Sequence, residues 1–232
     1  MVSSERIQEI YDTFVGINNT DEYKYRYDPL PIEKNNKLWK WEGKDFPRVI
    51  SLLEFERYVK KYDFQIDKLL TANGATDPER ECLKDRVKSH LNINYTDDPL
   101  KYDLHNLKLS HKDFDFCYLN QTLEHTYDPY TCLKNIFKYL KPGGWFYTNV
   151  PACNIPHSTP YHYYMGYTPM GLAAICEDVG FKIKEVGQWG NLEYMIKLWK
   201  REPKWCDYKK LTRPGLNEFE TPVITWILVQ KP

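Results

Sequence analysis

The chain has 232 residues, enough for one α/β domain with a sizeable core and too few for two comfortable ones. Lys plus Arg and Asp plus Glu both number 32, so the formal net charge is zero, which argues against a nucleic-acid binder. No apolar run approaches the length of a membrane span, and the leading MVSSERIQEIYDTF lacks the apolar core of a signal peptide. The six cysteines form no C-x-x-C pair and several sit in apolar runs, as in Phe116-Cys117-Tyr118, so they read as free thiols of a cytoplasmic protein.

Residues 1–16 predict an amphipathic helix, capped by Ser3 or Ser4, with Ile7, Ile10, Tyr11 and Phe14 on one face. Residues 17–48 are polar, rich in Tyr and broken by Pro, and predict irregular chain with Trp39 and Trp41 as anchors. Leu52 to Tyr62 predicts a helix. This makes 1–62 an N-terminal helical and irregular extension, and 63–232 the principal domain.

From Lys68 onward short apolar runs alternate with helical stretches, the pattern of a mostly parallel sheet flanked by helices. Seven strands are expected: Lys68–Ala72, Leu91–Tyr95, Leu100–Leu104, Phe114–Asn120, Trp145–Val150, Phe181–Val186 and Pro222–Gln230. The intervening helices are expected over Pro78–Lys88, Asp128–Leu140 and Pro169–Val179. Lys141-Pro142-Gly143-Gly144 stops the second of these and Gly180 the third, since Pro cannot continue a helix and Gly accepts a positive φ.

Ligands of open α/β sheets bind beyond the carboxyl ends of the strands. The residues expected there are Thr71-Ala72-Asn73-Gly74-Ala75-Thr76-Asp77, then Asp103-Leu104-His105-Asn106, then Asn120-Gln121 with Leu123-Glu124-His125, and last Asn149-Val150-Pro151. His125 is the candidate general base, because an imidazole titrates near neutrality; its plainer reading is a helix-start residue that shapes the pocket. Glu124 reads as structural, His105 as a neighbour of a bound ring, and His90 and His111 as surface residues.

The run from Phe114 to His125, followed by Asp128-Pro129 and Leu140-Lys141-Pro142-Gly143-Gly144, resembles the second half of a class I S-adenosylmethionine (SAM)-dependent methyltransferase. Asp103-Leu104-His105-Asn106-Leu107 upstream is similar to the same family. So are Tyr163-Tyr164, Tyr167-Thr168-Pro169, Gly171-Leu172, Val179-Gly180-Phe181 and Gly187-Gln188-Trp189-Gly190-Asn191 downstream. The resemblance covers residues 66–232. It implies a Rossmann-like sheet of seven strands, the last antiparallel, with SAM as cofactor.

By that resemblance Thr71, Asn73, Gly74 and Ala75 face the methionine part of SAM. An acid or amide after the second strand holds the ribose, with Asn94, Asp97 and Asp98 as competitors. Asp103, Leu104 and His105 bracket the adenine, and Asn120 and Gln121 sit beside the methyl donor. The family's Gly-x-Gly-x-Gly loop departs here: Asn73, Ala75 and Asp77 stand where glycines belong. The loop after the fifth strand covers the acceptor and brings His157 and His162 as further catalytic candidates. Tyr163, Tyr164, Trp189 and Asn191 are expected to bind the acceptor. Some quinone-pathway relatives hold a metal through a carboxylate followed by Glu-His; Gln121 takes the carboxylate's place, so no metal is expected.

These features imply an O-methyltransferase acting on a sugar, nucleotide-sugar or glycan hydroxyl. The alternatives are an inactive binding protein of the same fold, or a methyltransferase for a quinone-like or protein substrate.

Overall fold

The computed structural model of the chain describes residues 2–31, 43–72, 74 and 76–232. Asn73 and Ala75, and the anchors Trp39 and Trp41, lie outside the described residues. Helix α1 (Ser4–Ile10) starts at Ser3, whose hydroxyl accepts from Arg6 N at 3.2 Å. A π-helical turn (Tyr11–Val15), a 3-10 turn (Gly16–Asn19) and the short α2 (Asp21–Lys24) follow. The long α3 (Phe46–Tyr62) begins earlier than expected and precedes β1 (Ile66–Ala72).

Next come α4 (Pro78–Leu83), β2 (Val87–Ile93), α5 (Pro99–Tyr102) and β3 (Phe114–Asn120). Then follow α6 (Pro129–Tyr139), β4 (Leu140–Pro151), α7 (Pro169–Val179), β5 (Lys182–Trp189), α8 (Leu192–Lys200) and β6 (Ile224–Gln230).

The strands form one sheet in the order β2-β1-β3-β4-β6-β5. β2, β1, β3 and β4 run parallel, and β6 runs antiparallel to both its neighbours. The described sheet has six strands, which corrects the expected seven. The missing one is Leu100–Leu104. Two aspartates turn that segment into helical turns instead. Asp98 accepts from Lys101 N ahead of Pro99, and Asp103 accepts from His105 N at 2.9 Å, opening a 3-10 turn over Leu104–Asn106. Leu100 is left exposed, so the segment has no buried apolar row to pair on.

Strand β2 starts at Val87, because the helix expected through Lys88 ends at Leu83. β4 runs back through Lys141-Pro142-Gly143-Gly144 with a register shift opposite Phe114 and Phe116, Gly143 supplying a φ of 77°.

Alternation along the strands builds a core on each face. Cys117 and Leu119 of β3 face α6 and α7, which contribute Cys132, Leu133, Ile136, Leu172 and Cys176. Ile10 and Val15 of the N-terminal segment join this face. Phe116 and Tyr118 point the other way, toward Phe55 and Tyr58 of α3 and Tyr194 and Leu198 of α8. No described helix is long and apolar enough to cross a membrane.

Candidate functional site

The carboxyl ends of β1 and β2 open on a cleft of about 290 Å³. Its walls include Ala72, Asn94, Asp103, Leu104, His105 and His125, closed above by Tyr161 and Tyr163. Beneath it, the chain leaving β1 is tied to β2. Asn92 Oδ1 accepts from Thr71 Oγ1 at 2.7 Å and from Gly74 N at 2.9 Å. Thr71 Oγ1 also meets His90 Nε2 at 2.8 Å, so half-buried His90 supports the turn; it was expected at the surface. Gly74 is there because of Tyr118. The Tyr118 hydroxyl donates to Gly74 O at 2.6 Å, and a Cβ on Gly74 would stand 2.6 Å from the Tyr118 ring.

His105 is held on three sides. Its ring stacks on Tyr127 with centroids 3.8 Å apart and planes 9° apart. Its Nδ1 donates to Asp103 Oδ1 at 2.7 Å, and its Nε2 accepts from Asp128 N at 3.4 Å. Asn94 turns its Oδ1 onto Thr96 N and Oγ1 at the cleft edge.

At the ends of β3 and β4 the polar groups satisfy one another. Asn120 Nδ2 donates to Asp77 Oδ2 at 2.9 Å, and Asn149 Nδ2 donates to Asn120 Oδ1 at 2.7 Å. Gln121, at a φ of 50°, donates from Nε2 to Asn149 Oδ1 at 3.0 Å. Arg48 and Glu79 complete this network below Asn149. Burial works against the Arg48 charge, but the Glu79 carboxylate outweighs it and raises the guanidinium's pKa. Burial first, and then Glu79, raises the carboxyl of Asp77.

The loop joining β4 to α7 folds back over the 3-10 turn Leu123–His125. Tyr163 N and Tyr164 N both donate to Glu124 O, at 2.9 and 3.3 Å, and Tyr167 OH donates to Leu123 O at 3.0 Å. Gly166 lets the two ends of the loop meet, because a Cβ there would fall 2.0 Å from Ala152 O. The loop brings His157 and His162 against His125, with ring centroids 5.0 and 5.4 Å from it. Burial lowers the pKa of both His125 and His162, and neighbouring histidines add to the effect, while the Tyr161 carbonyl works the other way on His125. Glu124 is wholly buried beside them, and burial pushes its carboxyl up to about 8.

The structure therefore brings Asn94, Asp103, Leu104, His105, His125 and Tyr163 around one cleft, with His157 and His162 at its rim and Thr71 and Gly74 beneath. Asn120 and Gln121 belong to the network below β4. Tyr164 lies on the outside of the loop, donating to Tyr127 O at 3.0 Å. Two expected acceptor residues stand apart. Trp189 is enclosed between Phe46 and Tyr194, and Asn191 is the N-cap of α8, accepting from Tyr194 N at 2.8 Å. Arg48, Glu79 and Tyr127 were not singled out from the sequence, and Asn149 only as a residue at a strand end. Arg48 sits in what reads as irregular chain, and nothing local announces that it reaches Glu79, 31 residues on, and Asn149, 101 residues on.

Residues 71–148 match a family model described as "Methyltransferase domain". No curated protein matches the sequence. Three solved structures share its fold at a TM-score of 0.51. A candidate methyltransferase of Bacillus halodurans is 10% identical, with 77% of this chain and 98% of that chain covered. Phosphoethanolamine N-methyltransferase 2 of Haemonchus contortus, solved with S-adenosyl-L-methionine, is 10% identical; 95% of this chain aligns with 60% of that one. A candidate sarcosine dimethylglycine methyltransferase of Galdieria sulphuraria is 14% identical, with 86% and 97% covered. At such identities the likeness is one of fold. Residues 71–148 thus match a methyltransferase family model, and the chain has the fold of these methyltransferase structures.

Proposed function

We propose that this chain binds SAM through residues of its 63–232 domain and methylates a hydroxyl of a sugar, nucleotide-sugar or glycan. The observation that carries the reading is the cleft over β1 and β2 with His125 in its wall. The residues there suit an adenosine group: the stacked His105–Tyr127 pair is a flat wall, Leu104 an apolar floor, and Asn94 and Asp103 polar groups for ribose and base. The phosphoethanolamine enzyme of similar fold was solved with SAM bound, which supports the same cofactor here.

When bound, SAM supplies a methyl group already activated on a sulfonium. The protein's share is to align the acceptor oxygen, exclude water and take the hydroxyl proton. His125 suits the last task, since Nδ1 donates to Tyr161 O at 2.6 Å and so Nε2 keeps a lone pair. Tyr161 and Tyr163 add aromatic walls with hydroxyl tips, fitted to a polyol.

Calorimetry with SAM and its demethylated product tests the first half, and methyl transfer to a panel of sugar nucleotides and glycans the second. The expected result is binding of both ligands and methylation of a hydroxyl. Transfer to phosphoethanolamine or sarcosine alone would replace the oxygen acceptor by an amine.

A second reading, a protein of this fold that binds no SAM, has one observation behind it. The Asp77–Asn120 hydrogen bond spans the ends of β1 and β3, where the methionine part is expected. The absence of any heat at millimolar SAM would favour it.

A further inference from the structure

We propose that His125, His157 and His162 form a binding site for a divalent transition-metal cation such as zinc. One residue comes from the turn after β3 and two from the loop after β4. One ring nitrogen of each lies within 4.8 Å of those of the other two. The rings meet at 89°, 65° and 54°, so none of the three pairs is stacked.

The hydrogen bonds select the lone pairs. A carbonyl oxygen only accepts, so His125 Nδ1 carries the proton it gives to Tyr161 O at 2.6 Å. His157 Nδ1 likewise donates to Ile155 O at 3.1 Å. In the neutral ring this places the lone pair on Nε2 of each. Metal-binding histidines are oriented in this way, the second nitrogen donating to a carbonyl or carboxylate. His162 goes further: both its ring nitrogens are buried, with no hydrogen-bond partner among the described residues. Leaving buried polar atoms unpaired is unfavourable, and a bound cation would give one of the two nitrogens a partner. The buried Glu124 carboxyl, whose oxygens are also unpartnered among the described residues, lies 3.9 Å from His125 Nε2 and offers an acidic neighbour.

Imidazoles favour zinc, copper, nickel and iron over magnesium and calcium. Three protein ligands with a fourth position open is the arrangement of a reactive rather than a structural zinc. Bonds of about 2.0–2.1 Å in a tetrahedron place ligand atoms about 3.4 Å apart, so from separations of up to 4.8 Å the rings must close by up to about 1.4 Å on binding. The fourth position would take a water or the oxygen of the acceptor hydroxyl. That role rests on the O-methyl transfer proposed above, with the cation rather than a free His125 Nε2 activating the hydroxyl, since a ligating nitrogen has no lone pair left for the proton; the cation site itself does not rest on it.

The test uses the full chain, stripped of metal with a chelator, titrated with zinc by calorimetry and with cobalt(II) by visible absorption. One zinc per chain is expected, with the intense absorption of four-coordinate cobalt. His157→Gln and His162→Gln should each weaken zinc binding by about tenfold or more, while His111→Gln, at an exposed residue ahead of β3, leaves it unchanged. Thermal unfolding checks that each variant is folded. No zinc uptake, a six-coordinate cobalt spectrum, or uptake indifferent to both loop variants overturns the site. SAM calorimetry on the same sample separates the two ideas. SAM binding without zinc removes the metal site and keeps the methyl-transfer reading. Zinc binding without SAM does the reverse.

Discussion

Glu79 holds Arg48 through both carboxylate oxygens, at 3.0 and 3.2 Å, and Arg48 reaches on to Asn149 Oδ1 at 2.5 Å. The pair ties the first turns of α3 and α4 to the carboxyl end of β4, directly beneath the proposed reaction site. Glu79 is fully buried.

That burial makes the pair asymmetric to mutation. Arg48→Met leaves a buried carboxylate without its counter-charge, and the expected cost is about 3–5 kcal/mol in chemical denaturation. Pairing it with Glu79→Leu should recover most of the loss, because two apolar side chains leave no charge stranded. A single variant within about 1 kcal/mol of the parent would show that water reaches Glu79.

Gly74 sets a second expectation. A methyl group there meets the Tyr118 ring at 2.6 Å and Thr71 Cβ at 3.1 Å, both buried in the sheet. Gly74→Ala should cost about 1–3 kcal/mol of stability through overpacking. It should also shift the turn after β1 and weaken SAM binding about tenfold, or about 1.4 kcal/mol. Unchanged SAM affinity in a destabilised variant would take this turn out of the cofactor site.

Asp45 carries a pH dependence. Burial raises its carboxyl to about 6, against the opposing effects of the Tyr194 hydroxyl that donates to it and of nearby Arg48. An acid whose pKa is higher folded than unfolded favours the fold most below its unfolded value. That contribution is lost as pH rises through the folded value, here between about pH 4 and 6. Asp45→Asn should remove that decline, about 3 kcal/mol. Stability measured at several pH values, parent against variant, checks it: parallel curves across the window would mean Asp45 titrates normally.

Much of the fold is legible in the chain because its signals are short-ranged. Helix α7 runs over Pro169–Val179 as expected, since Thr168 caps it with a bond to Gly171 N at 3.1 Å and Gly180 leaves it at a φ of 107°. Strand β3 was bounded correctly because seven successive residues are buried or nearly so, as a central parallel strand requires. Leu100–Leu104 misled because two leucines mimic a strand while Asp98, Pro99 and Asp103 write helical turns around them.

The site divides in the same way. His125 lines the cleft because it follows the end of β3, as position in an α/β sheet predicts, whereas Asp103, Leu104 and His105 reach the same cleft from helical turns and not from the strand end expected of them. Trp189 was assigned to the pocket on a resemblance of segment, and the packing of Phe46 and Tyr194 around it placed it in the core instead.

By itself the sequence determined the class of fold and the bounds of elements such as β3 and α7, because caps, prolines, glycines and apolar periodicity act over a few residues. Only the tertiary structure decided which polar groups meet. The Arg48–Glu79–Asn149 network and the three histidines join segments that no local pattern connects, and they come together only when α3 and the loop after β4 pack against the sheet.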